Sequence, residues 1–275
     1  MRVTLYGTRG SLAAAGPDTV AYGGDTSSVE VRIDEDSALV LDAGSGIRRL
    51  SEALGECRRI DLLLTHLHMD HIQGLGFFEP LMSPDIEVHL WGPASPTVSL
   101  ERRLSRYLSP PLFPVRLRDL PNVYVHDLDP GQLTLGGATI DADFVVHPGL
   151  TFGYRIQAAG KTMAYVPDHE PALGVPDFPK ASGWTSGFAL IRHADLLIHD
   201  AQYTDAEYTT RQGWGHSTFR HAAGLATLAE VKTLVSFHHD PAHDDGILDA
   251  EAAKIWASDP TFEFVPGKTG ATFEL

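Results

Sequence analysis

The sequence predicts an α/β fold, and two observations support this prediction. Short apolar runs bounded by polar residues are typical of buried strands, and they alternate along the chain with helix-like stretches. Several of these runs end in a histidine or aspartate followed by a turn-forming residue, at His66, His147, Asp168, His199-Asp200 and His238. Ligands bind at the carboxyl ends of strands in open α/β sheets, so we expect these side chains to gather at one edge.

The composition favours one large core. The chain has 275 residues, of which 43% are hydrophobic, and no linker is evident, so residues 1–275 are predicted to form a single domain. The 36 acidic and 21 basic residues give a formal net charge of −15, which argues against a surface that follows long nucleic acid. The single cysteine, Cys57, excludes an internal disulfide and a thiolate metal cage.

No targeting or membrane segment is evident. The segment Met1–Gly7 lacks the basic start and the long apolar stretch of a signal peptide, and no run of about 18 apolar residues occurs. We therefore expect a soluble, cytoplasmic protein that has no membrane partner.

Apolar patterns and turn formers assign the elements of the first half. Strands are predicted at 2–7, 28–33, 38–42, 60–65 and 86–90, and the second and third form an antiparallel hairpin. Helices are predicted from Gly46 to about Leu54, at 72–78 and at 94–108. Residues 8–26 form a mobile loop rich in glycine, and the prolines of segment 109–115 impose an extended path.

The second half continues with strands and two helices. A β-rich block is predicted at 123–146 with a turn at 135–137, then a hairpin of 151–157 and 162–166, and strands at 195–198, 233–237, 262–265 and 271–275. Helices are predicted at 219–230, with Ser217 as the N-cap, and at 245–257.

Four potential metal ligands fall within the six residues His66-Leu67-His68-Met69-Asp70-His71. His66 and His68 stand two apart, so in an extended segment both project to the same side and can converge on one cation. Asp70 and His71 follow the turn and face a different point. One loop could therefore serve two adjacent metals, an arrangement that clamps the attacking and leaving oxygens of a hydrolytic displacement. A lone histidine is usually structural, but this density favours a metal site.

The segment His66-x-His68-x-Asp70-His71, followed by Gly74, resembles the signature loop of the metallo-β-lactamase superfamily. The string from His71 to Leu75 resembles its phosphodiesterase branch, which includes ribonuclease Z, phosphoribosyl cyclic phosphodiesterases and cyclic-nucleotide phosphodiesterases. The resemblance runs nearly end to end and implies a four-layer αβ/βα sandwich and a homodimer. The segment Tyr22–Ser27 resembles the entry segment of this branch, where Asn is more frequent than Asp at position 25, so the role of Asp25 stays open.

The resemblance also implies two divalent metal ions and the residues that hold them. The first metal would be held by His66, His68 and His147, the second by Asp70, His71 and His238, and Asp168 would bridge the two. The nitrogen-rich set favours zinc, with manganese as the alternative. A hydroxide between the cations would be the nucleophile.

Three residues are predicted to take part in catalysis. Gly215-His216-Ser217-Thr218 resembles the late histidine motif of the ribonuclease Z-like branch, so His216 would protonate the leaving oxygen, with Asp200 as its orienting partner. The alternative is that His216 merely begins a helix. Asp70 counts as catalytic as well as a ligand. Asp42, at a strand end, could orient a ligand imidazole or be an ordinary cap.

Other polar residues have open roles. His169 could reach a substrate. His239 and His243 could contact the metal-ligating residues, because they lie beside His238 in the sequence. Four further histidines are expected to be structural or exposed, and Cys57 to be inert; the four are His89, His126, His193 and His221. Two interpretations apply to the arginines at 102, 103 and 106 and the proline-rich segment to 118. They form either a solvated face, which is the preferred interpretation, or a lid that brings the arginine side chains to a phosphate.

The metal site alone does not define the bond that is cut, because lactams, lactones, thioesters and phosphodiesters are all hydrolysed within the superfamily. The features that favour a phosphodiester are Asp70 in the motif, the bridging Asp168, the His216 motif and the extent of the resemblance. The net charge argues against transfer RNA. The predicted substrate is therefore a small phosphodiester, in first place a cyclic nucleotide or related cyclic phosphate. The alternatives are a carboxylic ester or lactone hydrolase, a ribonuclease Z-like tRNA 3′ endonuclease, and a non-enzymatic metal-binding protein.

Overall fold

Fourteen strands occur in the computed structural model of the protein, which describes residues 1–55, 57–173, 178 and 181–275. In chain order they are β1 (Arg2–Gly7), β2 (Ser28–Arg32), β3 (Ser37–Leu41), β4 (Arg59–Leu63), β5 (Glu87–Pro93), β6 (Val123–Leu128), β7 (Gly131–Leu135), β8 (Ala138–Phe144), β9 (Phe152–Ala158), β10 (Lys161–Val166), β11 (Leu196–Asp200), β12 (Thr233–Phe237), β13 (Glu263–Pro266) and β14 (Thr272–Glu274).

The helices of the described residues lie mainly between strands that run parallel. They are α1 (Ile47–Ala53), α2 (Met69–Ile72), α3 (Leu100–Leu104), α4 (Phe188–Ile191), α5 (Asp205–Arg211), α6 (Phe219–Leu228) and α7 (Asp245–Ala257). Short 3-10 helices occur at Pro17–Thr19, Leu75–Phe77, Glu79–Met82, Leu117–Asp119 and Ser182–Trp184. None of the helices in the described part of the chain is long and apolar enough to cross a bilayer.

The strands form two sheets of seven strands each. The order in the first sheet is β14-β1-β2-β3-β4-β5-β6, and in the second it is β13-β12-β11-β10-β9-β8-β7. The strands from β3 to β6 are mutually parallel, as are those from β10 to β13, whereas the remaining neighbours are antiparallel. Each sheet thus has one parallel half, whose carboxyl ends can carry a site.

The alternation of side chains along the strands produces the layers. In β3, Leu39 and Leu41 pack in the core between the sheets, whereas Val40 packs outward against Leu50 of α1. The second sheet follows the same rule, because its inner residues share the central core and its outer residues, such as Leu197, pack with the helices α6 and α7. Helices therefore cover both outer faces of a pair of sheets, and the predicted four-layer αβ/βα sandwich is confirmed.

The predicted strands and the helices at 46–54, 219–230 and 245–257 are confirmed, with ends that differ by a few residues. The predicted hairpin of β2 and β3 pairs Val29 with Leu41. The N-cap prediction for α6 is wrong, because the hydroxyl of Thr218, and not of Ser217, accepts the backbone N–H of His221. The prediction lacked α4 and α5, although Thr204 and Glu207 form a capping box at the start of α5 that the sequence pattern indicates.

The predicted helix at 72–78 is wrong in position. Helix α2 instead begins at Met69, with His68 as its N-cap, so Asp70 and His71 lie in its first turn. The helix ends because Gly74 packs on the preceding glycine loop: its N–H donates to the carbonyl of Ala43, and a Cβ at Gly74 would lie 2.1 Å from the carbonyl oxygen of Gly44.

The predicted helix at 94–108 is much shorter. It begins at Leu100, because the hydroxyl of Ser99 caps the backbone N–H of Arg102, and it ends at Leu104. The extended path predicted for 109–115 is also wrong, since the N–H groups of Leu112 and Phe113 both donate to the carbonyl of Ser109 and close a turn.

Candidate metal centre

The carboxyl ends of the parallel strands bring the predicted site residues together. His66 follows β4, Asp168 follows β10, Asp200 ends β11 and His238 follows β12, while His147 lies in the connection from β8 to β9. The two sheets meet here directly, because the N–H of Phe152 in β9 donates to the carbonyl of Thr65. The predicted gathering of these side chains at one edge is confirmed.

The first donor set consists of His66, His68 and His147. One ring nitrogen from each lies within 4.8 Å of the others. Nε2 of His147 is 3.3 Å from Nδ1 of His68, and the ring centroids of His66 and His68 are 4.3 Å apart. His66 and His147 are buried, whereas His68 is exposed.

The second donor set consists of Asp70, His71 and His238, all of them buried. Oδ2 of Asp70 is 3.3 Å from Nε2 of His71 and 3.1 Å from Nε2 of His238. The two Nε2 atoms are 3.2 Å apart. One potential ligand atom from each of these three residues therefore lies close to the other two.

The carboxylate of Asp168 lies between the two donor sets. Its Oδ2 is 3.0 Å from Nε2 of His71 and its Oδ1 is 3.4 Å from Nε2 of His238. The same Oδ1 is 3.9 Å from Nε2 of His66 and 3.7 Å from Nε2 of His147. Asp168 is thus placed to share its two oxygens between two cations.

The ring nitrogens that point away from the centre have fixed partners. Nδ1 of His71 donates to Oδ2 of Asp42 at 2.8 Å, and Nδ1 of His238 donates to Oε1 of Gln202 at 2.9 Å. These hydrogen bonds leave lone pairs on both Nε2 atoms, which face each other across 3.2 Å. Two facing lone pairs repel each other unless a cation lies between them. The partners therefore select the tautomer that binds a metal.

Asp42 orients a donor imidazole, which is the first of the two roles that the sequence left open for this residue. Besides the imidazole of His71, its carboxylate accepts the N–H and hydroxyl of Thr65 and the hydroxyl of Tyr165. Asp42 and His238 each have a φ of +59°, a left-handed conformation that is uncommon for residues other than glycine. Such backbone strain concentrates at functional sites, where the surrounding contacts maintain it.

The charges of the centre also fit divalent cations. Burial lowers the pKa of His66 well below its usual value, and the buried Nε2 of this residue has no hydrogen-bond partner. Burial opposes ionisation of Asp168, but His238 and His71 hold its pKa well below the usual value. Against the effect of burial, Asp168, Asp70 and Asp42 raise the pKa of His71, because the three carboxylates favour positive charge at this position. The donor set of imidazoles and carboxylates suits zinc.

His216 and Asp200 form the predicted pair beside the donor sets. Nδ1 of His216 donates to Oδ2 of Asp200 at 2.7 Å and lies 3.9 Å from Oδ1 of Asp168. Burial lowers the pKa of His216, but the Asp200 carboxylate outweighs this effect and raises it. The N–H of Ser217, two residues before α6, donates to Oδ1 of Asp200 and so fixes the orientation of this carboxylate.

Four further candidates lie away from the centre. His169 is fully buried, with Nδ1 3.0 Å from Nε2 of His199, so the suggestion that it reaches a substrate is wrong. His239 donates to the carbonyl of Gly267 and His243 pairs with Glu207, so neither is hydrogen-bonded to a ligand imidazole. The carboxylate of Asp25 binds Ser45 and Arg49, which attaches the entry loop to α1.

Several supporting residues were not predicted from the sequence. The N–H of Ser11 donates to Oδ2 of Asp70 at 2.7 Å, and Gln202 holds His238. Glu170 accepts the N–H groups of Gly213 and Gly215, and the carbonyl of Gly215 in turn accepts Nδ1–H of His147. These contacts join loops that are distant in sequence. The position of Glu170, directly after Asp168-His169, was the one sequence feature that could have indicated a supporting role.

The sandwich and the histidine-rich centre at its edge are those of a protein of the metallo-β-lactamase type. The family model described as the β-lactamase superfamily domain matches residues 37–239, and the chain belongs to this superfamily. The predicted family and fold are therefore confirmed.

Individual relatives and structures agree with this assignment. The ribonuclease Z of Bradyrhizobium sp. (strain ORS 278) is 28% identical, with 79% of this chain and 85% of the relative covered. An uncharacterized protein of Mycobacterium tuberculosis is 32% identical, with 92% of this chain and 86% of the relative covered. The crystal structure of Zn²⁺-bound PqqB from Methylobacterium extorquens superposes with a TM-score of 0.72 at 20% identity, over 100% of both chains. The name ribonuclease denotes a hydrolase, in accord with the enzyme class predicted from the sequence.

Proposed function

We propose that the protein is a phosphodiesterase that binds two divalent cations and hydrolyses a small phosphodiester. The first choice of substrate is a cyclic nucleotide or a related cyclic phosphate, and the first choice of metal is zinc, with manganese as the alternative. The observation that carries the proposal is the pair of donor sets that share Asp168, with His216 held by Asp200 at their side.

The residues of the chain have distinct tasks in this proposal. When bound, the cations would supply an activated water and stabilise the charge that develops on the phosphoryl oxygens. The Nδ1–H of His216 is committed to Asp200, which leaves Nε2 to donate a proton to the leaving oxygen. Asp42 and Gln202 keep the donor imidazoles in the required tautomer and orientation.

A ribonuclease Z-like activity on transfer RNA is the second candidate. It is supported by the relatives of that name, of which one is 28% identical over 85% of its length. The formal net charge of −15 opposes it, because contacts with a long phosphate backbone need positive charge. We therefore place the small diester first, and the expectation that long nucleic acid is not a substrate needs a direct test.

A substrate panel tests the proposal. The purified protein, loaded with zinc or manganese, is assayed on 3′,5′- and 2′,3′-cyclic nucleotides, bis(p-nitrophenyl) phosphate, a precursor tRNA, a carboxylic ester and a lactone. We expect turnover of the cyclic phosphates, loss with a chelator and recovery when metal is returned. Preferred cleavage of the precursor tRNA would favour the second candidate, and turnover of only the ester or lactone would contradict both.

The variant His68→Ala supplies the matching site test. We expect loss of metal from the first donor set and of activity on every phosphodiester, whereas His193→Ala, at an exposed histidine that pairs with Glu230, retains both. Unchanged turnover in His68→Ala would count against the assigned centre. The homodimer, the single domain over residues 1–275 and the cytoplasmic location stay predictions, and light scattering of the purified protein tests the first.

A further inference from the structure

A cavity of about 630 Å³ opens beside the first donor set. His66 and His68 form part of its wall, and most of the remaining lining is apolar, including Leu67, Ile72 and Leu150. A phosphate group fills only a small part of such a volume. A substrate that uses the cavity therefore has a larger body of low polarity attached to the phosphate that meets the donor sets.

Two arginines stand on the same wall of the cavity. Arg103 lies in α3 and Arg106 follows it by three residues, so both face the cavity, whereas Arg102 does not line it. Arg106 is exposed and, within the described residues, its guanidinium has no hydrogen-bond or ion-pair partner.

The second guanidinium is held in place by a carbonyl and by one partly exposed carboxylate. The side chain of Arg103 is 16% exposed and contacts the carbonyl of Pro93, and it forms a 3.5 Å ion pair with Asp127, whose side chain is 40% exposed. Its Nε is buried without an acceptor. Positive charge with unused donors in a protein of net charge −15 indicates a local site for an anion.

We propose that Arg103 and Arg106 bind a second anionic group of the substrate, at the end of the molecule remote from the bond that is cut. This inference rests on the proposed phosphodiesterase function and narrows its substrate class. The substrate is a small diester with a body of nucleoside size, which fills the apolar part of the cavity, and a terminal phosphate or carboxylate, which the arginines bind. The arginines contact none of the carboxylates of the donor sets, so this anion site is separate from the metal centre.

Paired substrates test the inference through turnover. Adenosine 2′,3′-cyclic phosphate is compared with the same compound carrying a 5′-phosphate, on the metal-loaded wild-type protein, Arg106→Ala, Arg103→Ala and Arg102→Ala. Hydrogen bonds to charged groups predict that the 5′-phosphate raises kcat/KM by about 10- to 100-fold. We expect this preference to fall below about threefold in Arg106→Ala and to persist in Arg102→Ala, which removes the same charge outside the cavity. A preference that is absent in the wild type, or unchanged in Arg106→Ala, overturns the inference.

A binding measurement separates this inference from the proposed function. Calorimetry compares adenosine 3′-monophosphate with adenosine 3′,5′-bisphosphate on the same proteins without any turnover. We expect the second phosphate to tighten binding by at least about tenfold in the wild type and Arg102→Ala, but not in Arg106→Ala. If both cyclic phosphates and bis(p-nitrophenyl) phosphate resist hydrolysis, the proposed function fails, whereas equal affinities for the two ligands in the wild type overturn the anion site alone.

Discussion

The two donor sets of the centre differ in how the fold holds them. The second set, Asp70, His71 and His238, is buried, and each member is fixed by a hydrogen bond from outside the set. The first set has no carboxylate of its own, and one of its members, His68, is exposed and lines the cavity. The fold therefore holds the second donor set rigidly and leaves the first donor set open to the cavity.

This difference assigns different tasks to the two positions. The second set combines an ionised carboxylate with imidazoles of fixed tautomer, which favours tight metal binding. The first set depends on Asp168 for negative charge, and its exposed member meets the cavity where the body of the substrate would lie. We infer that metal leaves the first set before the second during chelation.

The largest effect is expected from removing the group that the two sets share. Asp168→Ala takes a carboxylate from both donor sets, so we expect the phosphodiesterase rate to fall by more than about 100-fold. This loss exceeds the one that is typical when a residue hydrogen-bonded to a metal ligand is replaced. Metal content and turnover of bis(p-nitrophenyl) phosphate measure it. Asp129→Ala, at an exposed aspartate, is the control, and near-normal activity in Asp168→Ala would break the account.

The next effect sharpens the contrast between the sets. Asp42→Asn weakens the hydrogen bond that fixes His71, so we expect metal affinity at the second position to fall by about 10- to 100-fold while the first position changes little. Metal titration followed by calorimetry resolves the two steps. Asp61→Asn, at a buried aspartate that pairs with Arg59 away from the centre, is the matched control. Equal weakening of both steps in Asp42→Asn would show that the sets are not independent.

A change in pH dependence is expected from the residue pair beside the sets. Asp200 raises the pKa of His216, so the protonated imidazole persists to higher pH and is lost as the pH rises through that raised value. In Asp200→Asn the pKa of His216 falls, and the alkaline limb of the kcat profile moves to lower pH. Profiles of kcat measured between pH 5 and 10 check the direction of this movement. An alkaline limb that stays in place would exclude His216 as the proton donor. Asp205→Asn, at an exposed aspartate, is the control.

The smallest effect concerns a contact between the sets. The hydroxyl of Thr65 hydrogen-bonds both oxygens of Asp42 and lies 3.1 Å from Nδ1 of His66. Thr65→Val keeps the shape of the side chain and removes these bonds, so we expect a loss of about 1 to 3 kcal/mol in the free energy of unfolding. Urea denaturation measures it, with Thr134→Val in β7 as the control. A stability equal to that of the wild type would mean that the hydroxyl does not support the centre.

Local patterns explain which parts of the fold could be predicted. The strands were found because apolar runs and turn formers lie within each segment, and the hairpin of β2 and β3 follows from the turn between them. The helix predicted at 94–108 is too long, because the Ser99 cap and the turn at Ser109 limit α3 to a single short segment. The pattern shows which side chains are buried, but not where the backbone turns.

In the candidate site, too, local sequence patterns indicated some residues and missed others. The ligands within His66–His71 are close in sequence, so their spacing alone indicated two metal positions. The more distant members, such as Asp168, were predicted from strand-end positions and the family resemblance. Gln202 and Ser11 gave no such signal, because their contacts with His238 and Asp70 arise only when separate loops pack together.

Anomalous diffraction at the zinc absorption edge, on crystals grown with zinc, tests the central claim most directly. The account predicts two zinc peaks per chain, one among His66, His68 and His147 and one among Asp70, His71 and His238, with Asp168 within coordinating distance of both. A single peak elsewhere in the molecule, or the absence of any peak among these seven side chains, would contradict it.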